Sequence, residues 1–329
     1  NYRLSINSRD GEVLAETILN DEEEESRNYP YKNLFSHIVG YSTQGRMGVE
    51  ALANYYLINT NTSLSNKVKN DTAGKKNPGD NVYTTLDVKI QQVANDQLDI
   101  YRGAIIVTGV STGKILAMVS HPDFDPNSIG EIWEDLVDND SSTVLVNRAT
   151  QGLYPPGSTF KIITALAYIR QNQNDYYNYS YNCDGQAYIS GGTTIACFDH
   201  TAHGYEDLRK AFANSCNSAF STIGAGLNKT SFINLCNSFL FNSNLPVGFE
   251  YSKSTMSVTK DSSVSEMQET GIGHGKTKMS PLHNLMNAAS VANDGVMMTP
   301  YMVDNISDSE GRVVEKNQPS AIDTVISAE

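Results

Sequence analysis

Apolar and polar positions alternate at the start of the chain, where Tyr2, Leu4 and Ile6 predict a strand entering a turn at Arg9-Asp10-Gly11. The first element thus reads as part of a folded body, and we expect sequence upstream of Asn1. Residues 21–25 form an acidic run of the kind that makes a solvated loop. A polar stretch, residues 59–80, closes with the turn chemistry of Asn77-Pro78-Gly79-Asp80, and residues 82–86 then predict a strand. A domain boundary is therefore expected between 82 and 83. Following Asp87, a good helix-capping residue, apolar or small side chains at Ile90, Val93, Ala94, Leu98 and Tyr101 keep helical spacing over about four turns. Two β-rich runs, residues 104–110 and 115–120, flank Ser111-Thr112-Gly113-Lys114, which is the pattern of a hairpin inside a sheet with Lys114 in solvent.

Pro155-Pro156-Gly157 stops what precedes it, and Phe160, Ile163, Leu166 and Ile169 then mark a second helix. Leu208, Ala211, Phe212, Cys216 and Phe220 mark a third, residues 230–240 a fourth, and Pro281 with Asn293-Asp294-Gly295 bounds a fifth. Strands at 296–303 and 312–314 flank a turn at 308–311. This order predicts an α/β (α+β) fold, an antiparallel sheet covered by helices.

Charge narrows the function. The 329 residues carry 24 basic and 37 acidic side chains, a net −13, so a nucleic-acid partner is excluded by repulsion. No run approaches the roughly eighteen apolar residues of a membrane helix, so any membrane attachment is expected from outside these residues. Four cysteines are too few for a disulfide scaffold.

A serine three residues ahead of a lysine occurs three times: Ser111/Lys114, Ser158/Lys161 and Ser257/Lys260. The first lies in the hairpin turn. The third lies in a polar stretch, residues 252–265, with no apolar period to fix two side chains in register. Ser158 differs because it opens an apolar helix, and residues three apart share a helical face, which brings the Lys161 amine to the Ser158 hydroxyl. A serine oxygen becomes a good nucleophile when a base takes its proton, and burial can lower a lysine's pKa enough for that task. The bland alternative is that Ser158 caps a core helix and Lys161 snorkels to solvent. Asn214-Ser215-Cys216-Asn217, within the predicted third helix, offers a hydroxyl and an amide to one cleft; the bland alternative is a polar helix face or end, and the same spacing recurs at Ser5/Asn7 and Ser26/Asn28.

Ser158-Thr159-Phe160-Lys161 followed 57 positions later by Ser215-Cys216-Asn217 resembles the penicillin-binding protein and serine β-lactamase superfamily. Asn147-Arg148-Ala149, Tyr154-Pro155-Pro156-Gly157, His203-Gly204, Gly271-Ile272-Gly273 and Ser280-Pro281-Leu282 look like further landmarks of class B penicillin-binding transpeptidases, in that family's order. Upstream, Asp10-Gly11-Glu12-Val13-Leu14-Ala15, Tyr29-Pro30-Tyr31 and residues 45–50 are similar to its short membrane-proximal domain. The resemblance therefore implies an N-terminal domain over 1–82 and a transpeptidase domain over 83–329. The family's third motif, Lys-Thr-Gly on a strand lining the cleft, is absent from the sequence; Lys276-Thr277-Lys278 precedes the Pro281 helix instead. Ile326-Ser327-Ala328-Glu329 looks like the helix start ahead of that motif, so truncation is the expected reason, with a pseudo-enzyme as the competing one.

By this resemblance Ser158 attacks the bond between the terminal D-alanines of a peptidoglycan stem peptide, Lys161 is its base, Ser215 relays a proton to the leaving amine, and Asn217 holds the substrate amide. β-Lactams would acylate the same serine. The implied location is the extracytoplasmic face of the cell membrane, with an anchor outside this chain and a membrane glycosyltransferase of the cell-wall complex as partner. A serine β-lactamase is the nearest rival, but no Glu-x-x-x-Asn pattern follows Asn217. A non-catalytic penicillin-binding scaffold or sensor is the alternative from another class. Cys183, Cys197, His200 and His203 raise the question of zinc, yet thirteen residues separate the two cysteines and His203-Gly204 already has a place in the resemblance. No metal or cofactor is therefore expected; Cys183 and Cys197 are the candidates for a disulfide, and Cys216 and Cys236 read as core. His121, His274 and His283 read as structural or exposed.

Overall fold

The computed structural model describes residues 1–19, 24–138 and 142–326. Most of the acidic run at 21–25 and the helix start anticipated at 326–329 lie outside the described residues. The chain groups into two units: Asn1–Gly152 with Pro246–Tyr251 and Ala289–Glu329, and Leu153–Leu245 with Ser252–Ala288.

The first unit is organised by a six-stranded sheet in the order Val313–Lys316, Val303–Ser307, Asn81–Thr84, Ile6–Asn7, Val13–Leu19, Glu25–Asn28. Its one parallel pair is Ile6–Asn7 with Asn81–Thr84; every other strand pair among the described residues is antiparallel. Registration places Val82 beside both Ile6 and Ile306, and all three are buried, each stabilising the sheet by roughly 1.5–3 kcal/mol. The boundary anticipated at 82/83 thus falls inside a strand that is hydrogen-bonded on both sides.

Local chemistry explains the other elements of this unit. Asp87 caps the Val88–Leu98 helix by accepting from the Lys89 and Ile90 amides at 3.0 Å each. The hairpin is present as Gly103–Thr108 paired with Ile115–His121. Lys114 at its turn does not stand free in solvent as anticipated: its ammonium lies 2.7 Å from Asp304, a partner 190 residues away.

Glu50 anchors a buried double charge pairing in the unit. Its carboxylate is fully buried and receives Arg3 at 3.0 Å and Arg27 at 2.7 Å, with the Tyr29 hydroxyl at 3.3 Å. Removing one member of such a set strands the others out of water. Glu50→Ala is therefore expected to cost about 3–5 kcal/mol, read as a lowered midpoint in denaturant melts; a variant as stable as the parent would contradict this account.

The second unit is mainly helical: Lys161–Gln171, Leu208–Ala213, Asn217–Gly226, Lys229–Ser238 and Val264–Gly271, with two short strand pairs. The Val264–Gly271 helix emerges from the stretch read as polar and aperiodic, and Ser263 and Glu266 close it with a reciprocal capping box. It crosses Asn217–Gly226 so closely that a Cβ on Gly224 would sit 3.0 Å from the Gly271 Cα, which restricts the crossing to glycine. That packing fixes the helix that begins at Asn217.

Candidate active site

Ser158 sits in a 3₁₀ turn, Gly157–Phe160, that runs directly into the Lys161–Gln171 helix. Phe160 anchors this junction, fully buried and edge-on to Phe232 and Phe241. Beneath the turn, the Gly157 N–H donates to the Gly273 carbonyl at 2.9 Å, and Gly273 adopts φ +72° with no room for a Cβ, which would meet Gly157 O at 2.0 Å. Gly271-Ile272-Gly273 therefore supports the serine turn from below.

The helix predicted through residues 208–220 is in fact two helices. Leu208–Ala213 ends at Asn214, and Asn217–Gly226 begins after Cys216, whose sulfur accepts the Ala219 amide at 3.4 Å as the cap. Ser215 lies at the break with φ +53°, a left-handed conformation that costs a non-glycine residue of order 1 kcal/mol or more. The break turns Ser215 towards Ser158: their hydroxyls are 2.9 Å apart, Ser215 donating.

Lys161 is the centre of the cluster. Its Nζ is 3.3 Å from Ser158 Oγ, 3.0 Å from Ser215 Oγ, 2.6 Å from the Ser215 carbonyl and 2.7 Å from Asn217 Oδ1. Four acceptors compete for three N–H bonds. The residue is 1% exposed, whereas Ser158 and Ser215 are open to solvent. Among the described residues no carboxylate pairs with it; the Phe220 ring lies 5.7 Å away instead. Burial holds the amine well below its ordinary range, at about 8, against the opposing influence of Cys216 and Cys197. Asn217 is itself held in place, its Nδ2 donating to the Ala196 carbonyl at 3.1 Å.

All four residues singled out in the sequence, Ser158, Lys161, Ser215 and Asn217, thus meet in one cluster. Ser257 and Lys260 are exposed, and Ser111 is exposed on its turn. His283 is buried and donates from Nε2 to the Phe239 carbonyl at 2.6 Å, a packing arrangement, and His274 is exposed. Cys216 and Cys236 are both fully buried, in line with their reading as core residues. Cys183 and Cys197 are free thiols with sulfurs 3.7 Å apart, well beyond the roughly 2.05 Å of a disulfide. Cys216, read as core packing, joins them with its sulfur 3.8 Å from that of Cys197, and His203 completes the group; His200 does not.

Chemically, such a site can present a serine oxygen to a carbonyl while a partly neutral lysine takes up its proton. An α/β body bearing a serine and lysine one helical turn apart, faced by a second serine and an asparagine, is the architecture of the penicillin-recognising serine enzymes. Residues 103–329 match the family model of the penicillin-binding protein transpeptidase domain, and residues 3–82 that of the penicillin-binding protein A dimerisation domain. The chain belongs to the penicillin-binding protein transpeptidase family. It is 29% identical over 330 residues to the peptidoglycan D,D-transpeptidase PbpA of Mycolicibacterium smegmatis, covering 94% of this chain and 66% of that protein. To PbpA of Mycobacterium tuberculosis it is 33% identical over 259 residues, 71% of this chain and 50% of the relative. The chain thus spans between half and two thirds of the length of these curated relatives. Among solved structures, the imipenem acyl-enzyme of penicillin-binding protein A from M. tuberculosis matches with a TM-score of 0.89 at 26% identity, over 99% of this chain and 78% of that one. The D,D-transpeptidase domain of a peptidoglycan glycosyltransferase from Eggerthella lenta matches with 0.88 at 29% identity, over the same shares of each chain.

Proposed function

We propose that the protein is a peptidoglycan D,D-transpeptidase that works through an acyl-enzyme on Ser158 and is inhibited by β-lactams. The single observation that carries this reading is the buried Lys161, without a carboxylate partner among the described residues and within hydrogen-bonding distance of both Ser158 and Ser215. A neutral Lys161 amine accepts the Ser158 proton as the serine oxygen attacks the carbonyl between two terminal D-alanines. Ser215, bonded to both, carries a proton on to the departing D-alanine amine. Asn217 holds the donor peptide's amide, and the Ser158 N–H, at a helix start, stabilises the oxyanion. The amine of a second stem peptide then takes the acyl group, forming the cross-link and freeing Ser158. Relatives named as peptidoglycan D,D-transpeptidases, and a neighbour solved as an imipenem acyl-enzyme, support the reaction and its inhibitor class.

In the same proposal residues 1–82 are an N-terminal membrane-proximal domain and 83–329 the transpeptidase domain, a division in keeping with the two family matches. The protein acts at the extracytoplasmic face of the cell membrane, where it is anchored, alongside a glycosyltransferase that supplies the glycan strands. Among the described residues no helix is long and apolar enough to cross a membrane.

The test is the fate of the acyl-enzyme. Full-length protein incubated with benzylpenicillin should hold a stable adduct, and with a D-alanyl-D-alanine donor and an amine acceptor it should release D-alanine and form the acceptor-linked peptide. Rapid multiple turnover of benzylpenicillin would reassign the protein as a β-lactamase. Penicillin binding without any transfer would reassign it as a scaffold or sensor.

A further inference from the structure

The three thiols and the imidazole beside the active site make a more definite arrangement than packing requires. Cys183 ends the Tyr181–Cys183 strand, Cys197 follows the Thr194–Ala196 strand, His203 precedes Gly204–Glu206, and Cys216 caps the helix that starts at Asn217. Four separate chain segments therefore end at one point. Their donor atoms, three Sγ and one imidazole nitrogen, lie within 4.8 Å of one another, and the three sulfurs belong to buried residues.

The spacing tests what this group can hold. Metal–sulfur bonds of about 2.3 Å at tetrahedral angles put sulfurs about 3.8 Å apart, and a nitrogen at about 2.0–2.1 Å sits about 3.6 Å from each sulfur. The observed separations are 3.7 Å for Cys183 to Cys197, 3.8 Å for Cys197 to Cys216, and 3.5 Å from Cys183 Sγ to His203 Nδ1. Three edges of the tetrahedron thus have the length of a zinc coordination shell, whereas a disulfide would draw two sulfurs together to about 2.05 Å and leave the third thiol and the imidazole without a role.

We propose that Cys183, Cys197, His203 and Cys216 bind one zinc ion that fixes the turn carrying Ser215 and Asn217. Four protein ligands leave no position for water, so the ion is structural and takes no part in the acyl transfer. On binding, three S–H groups release their protons to solvent, each sulfur donates an electron pair, His203 coordinates through neutral Nδ1, and no electron is transferred. The centre carries a net charge of −1. Its consequence for the site follows from the position of Cys216 between Ser215 and Asn217. The ion would tie that residue to Cys197, whose neighbour Ala196 receives the Asn217 amide. The left-handed Ser215, strained on its own, is then held from both sides. The metal site itself stands independently of the catalytic reading; only its effect on Ser215 and Asn217 rests on that reading.

Metal analysis of the full-length protein, purified under reducing conditions without chelator, should find one zinc per chain. Cys183→Ser and Cys197→Ser should lose it, and His200→Ala should keep it. Cobalt(II) exchanged into the parent should give the intense visible bands of a tetrahedral thiolate site, absent in Cys183→Ser. Stripping the zinc should lower the melting temperature and slow labelling by a fluorescent penicillin several-fold, with recovery on adding zinc. A parent protein with neither zinc nor a cobalt spectrum, or one whose Cys183 and Cys197 are found joined as a disulfide, overturns the site, whether or not any variant folds. Zinc present in a protein that penicillin never labels would retain the site and reject the catalytic reading instead.

Discussion

Replacing Ser158 by alanine is expected to abolish labelling of the full-length protein by a fluorescent penicillin, with the acylation rate falling by a factor on the order of 10⁴ or more. The size follows from the chemistry. Covalent capture needs an oxygen that can leave its proton behind, and among the described residues only one other hydroxyl, that of Ser215, is brought to Lys161. Ser215 is within reach of the amine, but it sits in a left-handed turn and donates its own proton to Ser158, so it is poorly placed to substitute. Ser111→Ala and Ser257→Ala serve as controls, since both residues are exposed and lie outside the Lys161 cluster. Loss of labelling in either control, with Ser158→Ala still labelled at the parental rate, would move the nucleophile elsewhere. Peptide mapping of the labelled parent provides the complementary measurement and should place the adduct on the peptide containing Ser158.

Much of this site was legible from local rules. A helix stop at Pro155-Pro156-Gly157 followed by an apolar period predicted that Ser158 and Lys161 share a face, and they do, because that rule depends only on backbone geometry within one turn. The break at Ser215 was hidden. Apolar periodicity reports burial rather than continuity, and here Ala211 on one helix and Cys216 and Phe220 at the start of the next are all buried, so the pattern ran through a junction that the backbone does not. Lys114 and the cysteine cluster were hidden for a different reason. Asp304 lies 190 residues from Lys114, and the sulfur ligands reach one another only after two short strand pairs have folded back, which spacing along the chain does not reveal. The one usable signal was the cysteine between the two motif residues, since a third thiol at that position changes how Cys183 and Cys197 should be read. The Val264–Gly271 helix was concealed by its polar lead-in, although Ser263 and Glu266 carry the capping-box pattern that marks its start.

Lys161→Arg is expected to reduce acylation by roughly 10²- to 10⁴-fold, the usual cost of removing a general base. Arginine keeps the positive charge and much of the length, but its pKa above 12 leaves no neutral form to accept the Ser158 proton. The wild-type protein provides a second, independent reading of the same claim. Burial brings the Lys161 amine to about 8, so the neutral form is the minority at pH 7 and the majority at pH 9. The acylation rate should therefore rise close to tenfold per pH unit below about 8 and level off above it, because a depressed pKa makes the base available earlier as pH increases. A lysine with an ordinary pKa would instead give a rise that continues past pH 10. In the Lys161→Arg protein the inflection near 8 should vanish together with the rate. A folded Lys161→Arg protein that acylates at the parental rate, or a parental profile that is flat from pH 6 to 9, would remove Lys161 from the role of base and leave its hydrogen bonds to Ser158, Ser215 and Asn217 a purely structural tie.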